Sequence, residues 1–112
     1  MPRNMSFALT TGQFKAQTKD VTRRLGWKFL KNGDVIQGCK KCMGLKKGEK
    51  IERLGLIEVV SVTFEPLDAI TYEEVVREGF PDYTVEEFVR MFCLHNKCEP
   101  ESIITRIEYD YC

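Results

Sequence analysis

Leu54-Gly55-Leu56-Ile57-Glu58-Val59-Val60-Ser61-Val62-Thr63-Phe64 is a long apolar run rich in β-branched residues, and Pro66 closes it. β-Branched side chains are stiff at χ1 and pack well on a pleated surface, so this run predicts a central strand. Proline cannot donate to a sheet ladder, which ends the strand there. Glu58 interrupts the apolar pattern and predicts a bulge or a buried charge partner. Downstream, Ile103, Thr105, Ile107, Tyr109 and Tyr111 alternate with Arg106, Glu108 and Asp110, the pattern of a half-buried antiparallel strand. Upstream, Asn32-Gly33-Asp34 is a turn signal before a strand over Val35 to Cys39, and Met5 to Leu9 alternates as a further strand. Thr10 or Thr11 caps a short helix reaching about Gln17. Between the long strand and the last one, Thr71-x-x-Glu74 and Thr84-x-x-Glu87 are capping-box patterns that start two helices. In the second of these, Val85, Phe88, Val89 and Phe92 recur at helical spacing and face the core. The expected architecture is α+β and mostly β: two or three short helices inserted between the strands of a small, mostly antiparallel sheet or barrel.

Length and composition set the limits. The chain has 112 residues, which predicts one domain over 1–112. Hydrophobic residues at 43% and charged residues at 30% exclude collagen-like, disordered and low-complexity classes. No apolar run approaches the roughly 20 residues of a membrane helix. Met1-Pro2-Arg3-Asn4 has no apolar h-region, so a cytoplasmic location is expected.

Net charge is zero, yet the charges are segregated along the chain. Residues 1–53 hold thirteen Lys/Arg and four Asp/Glu, and residues 54–112 the reverse. Arg23-Arg24, Lys40-Lys41 and Lys46-Lys47, with Lys28, Lys31 and Lys50, form a dense basic stretch. Two readings are open: a surface for phosphates, or a solvated face paired with the acidic half. Five cysteines, an odd number, argue against a disulfide framework. Cys39-x-x-Cys42 has metal-ligand spacing, and Cys93, His95 and Cys98 would have to complete a zinc site whose spacing is not that of a standard finger. The alternative is that these are semi-buried thiols and that His95 caps a helix C-terminus.

Candidate chemistry concentrates in Gln17-Thr18-Lys19-Asp20-Val21-Thr22-Arg23-Arg24. Lys19 and Thr22 are three apart, so on a straight strand they point to opposite faces. They meet only if the chain bends near Asp20 or makes one helical turn. In that case Arg23 and Arg24 would depress the pKa of Lys19 by like charge, and a neutral amine beside a hydroxyl is a workable general base. The bland reading is a basic, solvated bend. Glu78 is placed in the last turn of a helix just before Gly79, where a carboxylate opposes the helix dipole. It is either functional or paired with a cation elsewhere. Trp27, the only tryptophan, either stacks on a base or belongs to the core.

Gln17-x-Lys19-x-x-Thr22-x-Arg24 resembles the signature of ASCH-domain proteins within the wider PUA-like superfamily, where a glycine is usual at the position of Gln17. Lys31-x-Gly33-Asp34, the long strand, the two-helix insert and the closing strand are also similar to that family, so the resemblance runs over about residues 5–112. It implies a small β-barrel with a cleft beside the signature and a role in binding RNA or acting on nucleotides. Some small members hydrolyse N4-acetylcytidine with a Lys, a Thr and a Glu, and by position these match Lys19, Thr22 and Glu78. Two functions are therefore expected. The first is binding of RNA or a modified nucleotide in that cleft through the basic Lys19-x-x-Thr22-x-Arg24 segment, with Arg23, Arg24, Lys40, Lys46 and Lys47 on phosphates and Trp27 stacking. The rival is a metal-independent amidohydrolase of N4-acylated cytidine, needing no cofactor, with Lys19, Thr22 and Glu78 as its catalytic group.

Overall fold

The computed structural model describes residues 3–42 and 47–112. Its elements, in chain order, are β1 (Arg3–Ser6), α1 (Thr11–Ala16), β2 (Val21–Arg24), β3 (Val35–Cys39), β4 (Arg53–Pro66), α2 (Tyr72–Arg77), α3 (Val85–Asn96) and β5 (Ile103–Tyr111). The five strands form one curled sheet in the order β1-β3-β4-β5-β2. All pairings are antiparallel except β1 with β3. β1 and β2 are the two edges, so the sheet is open between them, where a barrel would close.

β4 is the spine, as its composition predicts, and Pro66 is its last residue. Glu58 points outward and is exposed; the register shift falls just beyond it, between Val59 and Ser61. The bulge lets the strand curl while Ile57 and Val59 stay in the core. The first strand is shorter than its alternation suggests. It stops at Ser6, and Ala8–Thr10 make a 3-10 turn that leads into α1.

Two apolar clusters fill the molecule. Met5, Phe7, Phe14, Ile36, Ile57, Ile107 and Tyr109 pack in the hollow of the sheet. Leu67, Val75, Phe88, Val89, Phe92 and Ile104 join α2 and α3 to the other end of β5. The α3 start is a complete capping box between Thr84 and Glu87. The α2 start is half of one: Thr71 accepts from the Glu74 amide, and the Glu74 carboxylate is turned away to three arginines. Among the described residues no helix is long and apolar enough to cross a membrane.

Candidate functional site

Two helix ends and one edge strand build the site. Gln17, at the end of α1, takes the left-handed conformation (φ 57°, ψ 36°) and turns the chain sharply into Lys19. An L-residue there costs about 1 kcal/mol, which explains why glycine suits this position. Asp20 then bridges two elements through its backbone, donating to the Arg77 carbonyl and accepting from the Tyr109 amide. The Tyr111 hydroxyl donates to the Lys19 carbonyl. This pinned bend precedes β2 and brings Lys19 and Thr22 to the same cavity.

Glu78 arrives from the other side. It ends α2 in a Schellman arrangement, with Gly79 N–H on the Val76 carbonyl and Phe80 N–H on the Val75 carbonyl. Gly79 has φ +101°, and a Cβ there would lie 2.9 Å from Gln13 Cγ. Only glycine permits both the turn and the close approach of α1.

Lys19, Thr22, Arg23, Arg24 and Glu78 line one cavity of about 150 Å³. Phe7, Phe80, Phe88 and Phe92 form its apolar walls, and His95 and Asn96, at the end of α3, belong to its lining. Lys19 and Glu78 are 3% and 4% exposed, with Lys19 Nζ 3.7 Å from Glu78 Oε1. The other Glu78 oxygen accepts from Arg23 Nη1 at 3.1 Å. Arg24 Nε donates to Thr22 Oγ1 at 3.0 Å, as expected for residues two apart on one face of a strand. Lys19 and Arg24 both lie over the Phe7 ring, at 5.3 and 4.8 Å from its centroid.

Burial dominates the electrostatics. It lowers the Lys19 pKa to about 8, with Glu78 opposing and Arg24 and Arg23 adding to the drop. The like-charge effect expected from the two arginines is present but secondary to desolvation. Burial also raises the Glu78 pKa, against the pull of Lys19 and Arg23. Its enclosure by the protein is the largest cause.

The remaining predicted residues divide. Arg23 is enclosed, its guanidinium held by Glu78, by Glu74 at 2.9 Å and by Glu65 at 3.4 Å. That makes it an internal tie between β2 and the acidic residues of β4 and α2, while its buried Nε has no hydrogen-bond partner. Trp27 is half-buried against the first apolar cluster and beside Phe29, outside the cavity. Lys40 and Lys47 are exposed and also outside it, and Lys46 lies outside the described residues. Cys39, Cys42, Cys93, Cys98 and Cys112 are free cysteines, and only Cys39 is fully buried. Among the described residues no group of three or more His, Cys, Asp or Glu is arranged to hold a metal ion.

Sequence reading missed Phe7 and the Glu74 hub, which binds Arg23, Arg77 and Arg106. The only sequence signal for Glu74 is its place in a capping box, which points to a different partner.

The class these features define is an α+β protein with a curled five-stranded sheet and a half-open cavity lined by ionisable groups. No protein-family model and no curated protein matches the sequence. In fold the chain is similar to protein EF3133 from Enterococcus faecalis V583, of the family DUF984, with TM-score 0.71 and 16% identity over 100% of this chain and 77% of that one. It is likewise similar to the hypothetical protein PH0355, with TM-score 0.70 and 18% identity over 100% of both chains. These are likenesses of fold.

Proposed function

We propose that the chain is a metal-independent amidohydrolase of the ASCH type, deacylating a small N4-acylated cytidine-like nucleoside. The observation that carries this reading is that Lys19, Thr22 and Glu78 line one cavity whose other walls are largely aromatic. Thr22 is the nucleophile. Lys19, neutral above about pH 8, takes its proton, and Glu78 exchanges a proton with Lys19 while Arg23 holds its other oxygen. An engineered apolar cavity of about 150 Å³ takes up benzene, so a cavity of this size has room for one six-membered ring or an acyl group, with a sugar left outside.

The test is to incubate the protein and Thr22→Ala with acylated nucleosides, N4-acetylcytidine among them, and follow loss of the acyl group by mass spectrometry. Turnover is expected in the first and a loss of at least about 10³-fold in the second, with nucleoside binding kept. Absence of turnover in the unmodified protein sinks the reading. A second reading, binding of RNA or a modified nucleotide, is favoured by the exposed Lys40, Lys41, Lys47 and Lys50. It uses a surface distinct from the cavity and predicts salt-dependent binding that Thr22→Ala leaves intact.

A further inference from the structure

Arg23 and Arg24 are adjacent in sequence and opposite in partnership. Three carboxylates hold Arg23. Among the described residues no carboxylate lies within ion-pair distance of Arg24, and its one hydrogen bond is from Nε to Thr22 Oγ1. Lys19 is matched by Glu78. Arg24 is therefore the cation on the cavity wall that no carboxylate contacts directly; Glu78 acts on it only from beyond ion-pair distance. Its guanidinium lies on the face of Phe7, and its remaining donors are the two terminal nitrogens, a planar fork suited to a pair of oxygens. A half-buried guanidinium with no anion in contact is costly, and burial lowers its pKa from the usual range against the opposing pull of Glu78.

We infer that Arg24 is an oxyanion subsite, built to hold a carboxylate or the oxyanion that precedes one, next to the Thr22 hydroxyl. The catalytic use of this subsite rests on the hydrolase reading; the binding of an anion there does not. In the reaction, Thr22 Oγ forms a bond to the carbonyl carbon as its proton passes to Lys19. The C=O electron pair moves onto oxygen, and Arg24 stabilises that negative charge. Collapse breaks the C–N bond, and the amine leaves with the proton from Lys19. Water then attacks the threonyl ester as Lys19 takes one of its protons and returns it to Thr22 Oγ, and the acyl group departs as the carboxylic acid, which loses its remaining proton to solvent. The sum is amide plus water giving carboxylic acid plus amine.

The probes are acetate and inorganic phosphate, each titrated into the isotopically labelled protein while the Arg24 Nε–H and the Thr22 resonances are followed by NMR. Saturable shifts with acetate, tighter than with phosphate and lost in Arg24→Gln, are expected. Tighter binding of phosphate would overturn the acyl assignment in favour of a nucleotide phosphate. Absence of shifts with either anion would overturn the subsite. The kinetic arm compares Arg24→Gln and Arg24→Lys with the unmodified protein, their folds checked by circular dichroism. Arg24→Gln is expected to lower kcat by about 10²–10³-fold with KM little changed, the loss seen on removing one oxyanion donor, and Arg24→Lys to recover part of it. Undiminished kcat in a folded Arg24→Gln would overturn the inference while leaving the hydrolase standing. Acetate bound through Arg24 in a protein that turns over no acylated nucleoside would support the subsite and remove the hydrolase.

Discussion

Two cation-rich stretches look alike in sequence and end in opposite environments. Lys19, Arg23 and Arg24 sit around an edge strand; Lys40, Lys41, Lys47 and Lys50 sit between β3 and β4. The first group holds Lys19 and Arg23 at 3% and 4% exposure, whereas the described lysines of the second are all exposed. The difference lies in what faces them. β2 pairs with β5 and is met by Glu65, Glu74 and Glu78, carboxylates from 42 to 55 residues away in sequence. The charge segregation along the chain is therefore resolved in space at β2, whereas the described lysines of the loop stay exposed. A buried cation here depends on distant carboxylates, and this dependence separates a structural or chemical cation from a solvated one.

Removing one cation from each stretch tests the contrast most directly. Arg23→Ala leaves three carboxylates with less compensation and is expected to cost about 3–5 kcal/mol, as for other broken buried ion pairs. Lys47→Ala is expected to change stability by no more than about 0.5 kcal/mol. Urea midpoints measure both, and similar small shifts would erase the distinction.

Acid and base titrations of stability sharpen it. Burial alone would raise the Glu74 pKa, but hydrogen bonds from Arg106 and Arg23 outweigh it and bring the group to about 2. A folded pKa below the unfolded value stabilises the protein above about 4.5, and that contribution is lost as pH falls toward about 2. Lys19 makes stability change with pH in the same direction, in the alkaline window. Its pKa falls from 10.5 to about 8, so between those values the unfolded chain binds more protons and stability rises with pH. Chemical denaturation across both windows should show an acid loss that Glu74→Gln diminishes and an alkaline gain that Lys19→Met removes. An alkaline slope unchanged in Lys19→Met would place that titration elsewhere.

How far the sequence anticipates this follows from which interactions are local. β4, β5 and the helix starts were legible because periodicity, β-branching and capping are properties of neighbouring residues. The link of Lys19 to Thr22 was legible only as a condition, a bend near Asp20, because the bend is held by Arg77 and Tyr109, far along the chain. The segment's own residues could not distinguish the enclosed Arg23 from the unpaired Arg24. The early stop of β1 was hidden because Phe7 continues the alternation while its ring turns into the cavity wall. Glu74 carried a misleading local signal, since its pattern fits a capping box and its carboxylate serves the ion network instead.

Within the buried cluster, Glu78→Gln gives a signed test. Glu78 raises the Lys19 pKa by its charge and its hydrogen bond. Its neutral amide should move the rising limb of the kcat/KM pH profile to lower pH, below about 8. A limb that stays in place would mean that a group other than Lys19 titrates there.

The smallest effect belongs to the loop. If RNA binds at the exposed lysines, each phosphate that the protein no longer neutralises should reduce the slope of log K against log salt by about 0.7 for a single strand. Lys40→Ala with Lys47→Ala should therefore flatten it by about 1.4, with no change in sequence preference, since the phosphates are the same under every base. Thr22→Ala should leave the slope alone. Fluorescence anisotropy between about 50 and 200 mM salt resolves such a difference. A slope unchanged by the double lysine substitution would place RNA elsewhere, and the exposed stretch would then be a solvated face alone. A slope flattened by Thr22→Ala would merge the two surfaces, and with them the two stretches that the fold holds apart.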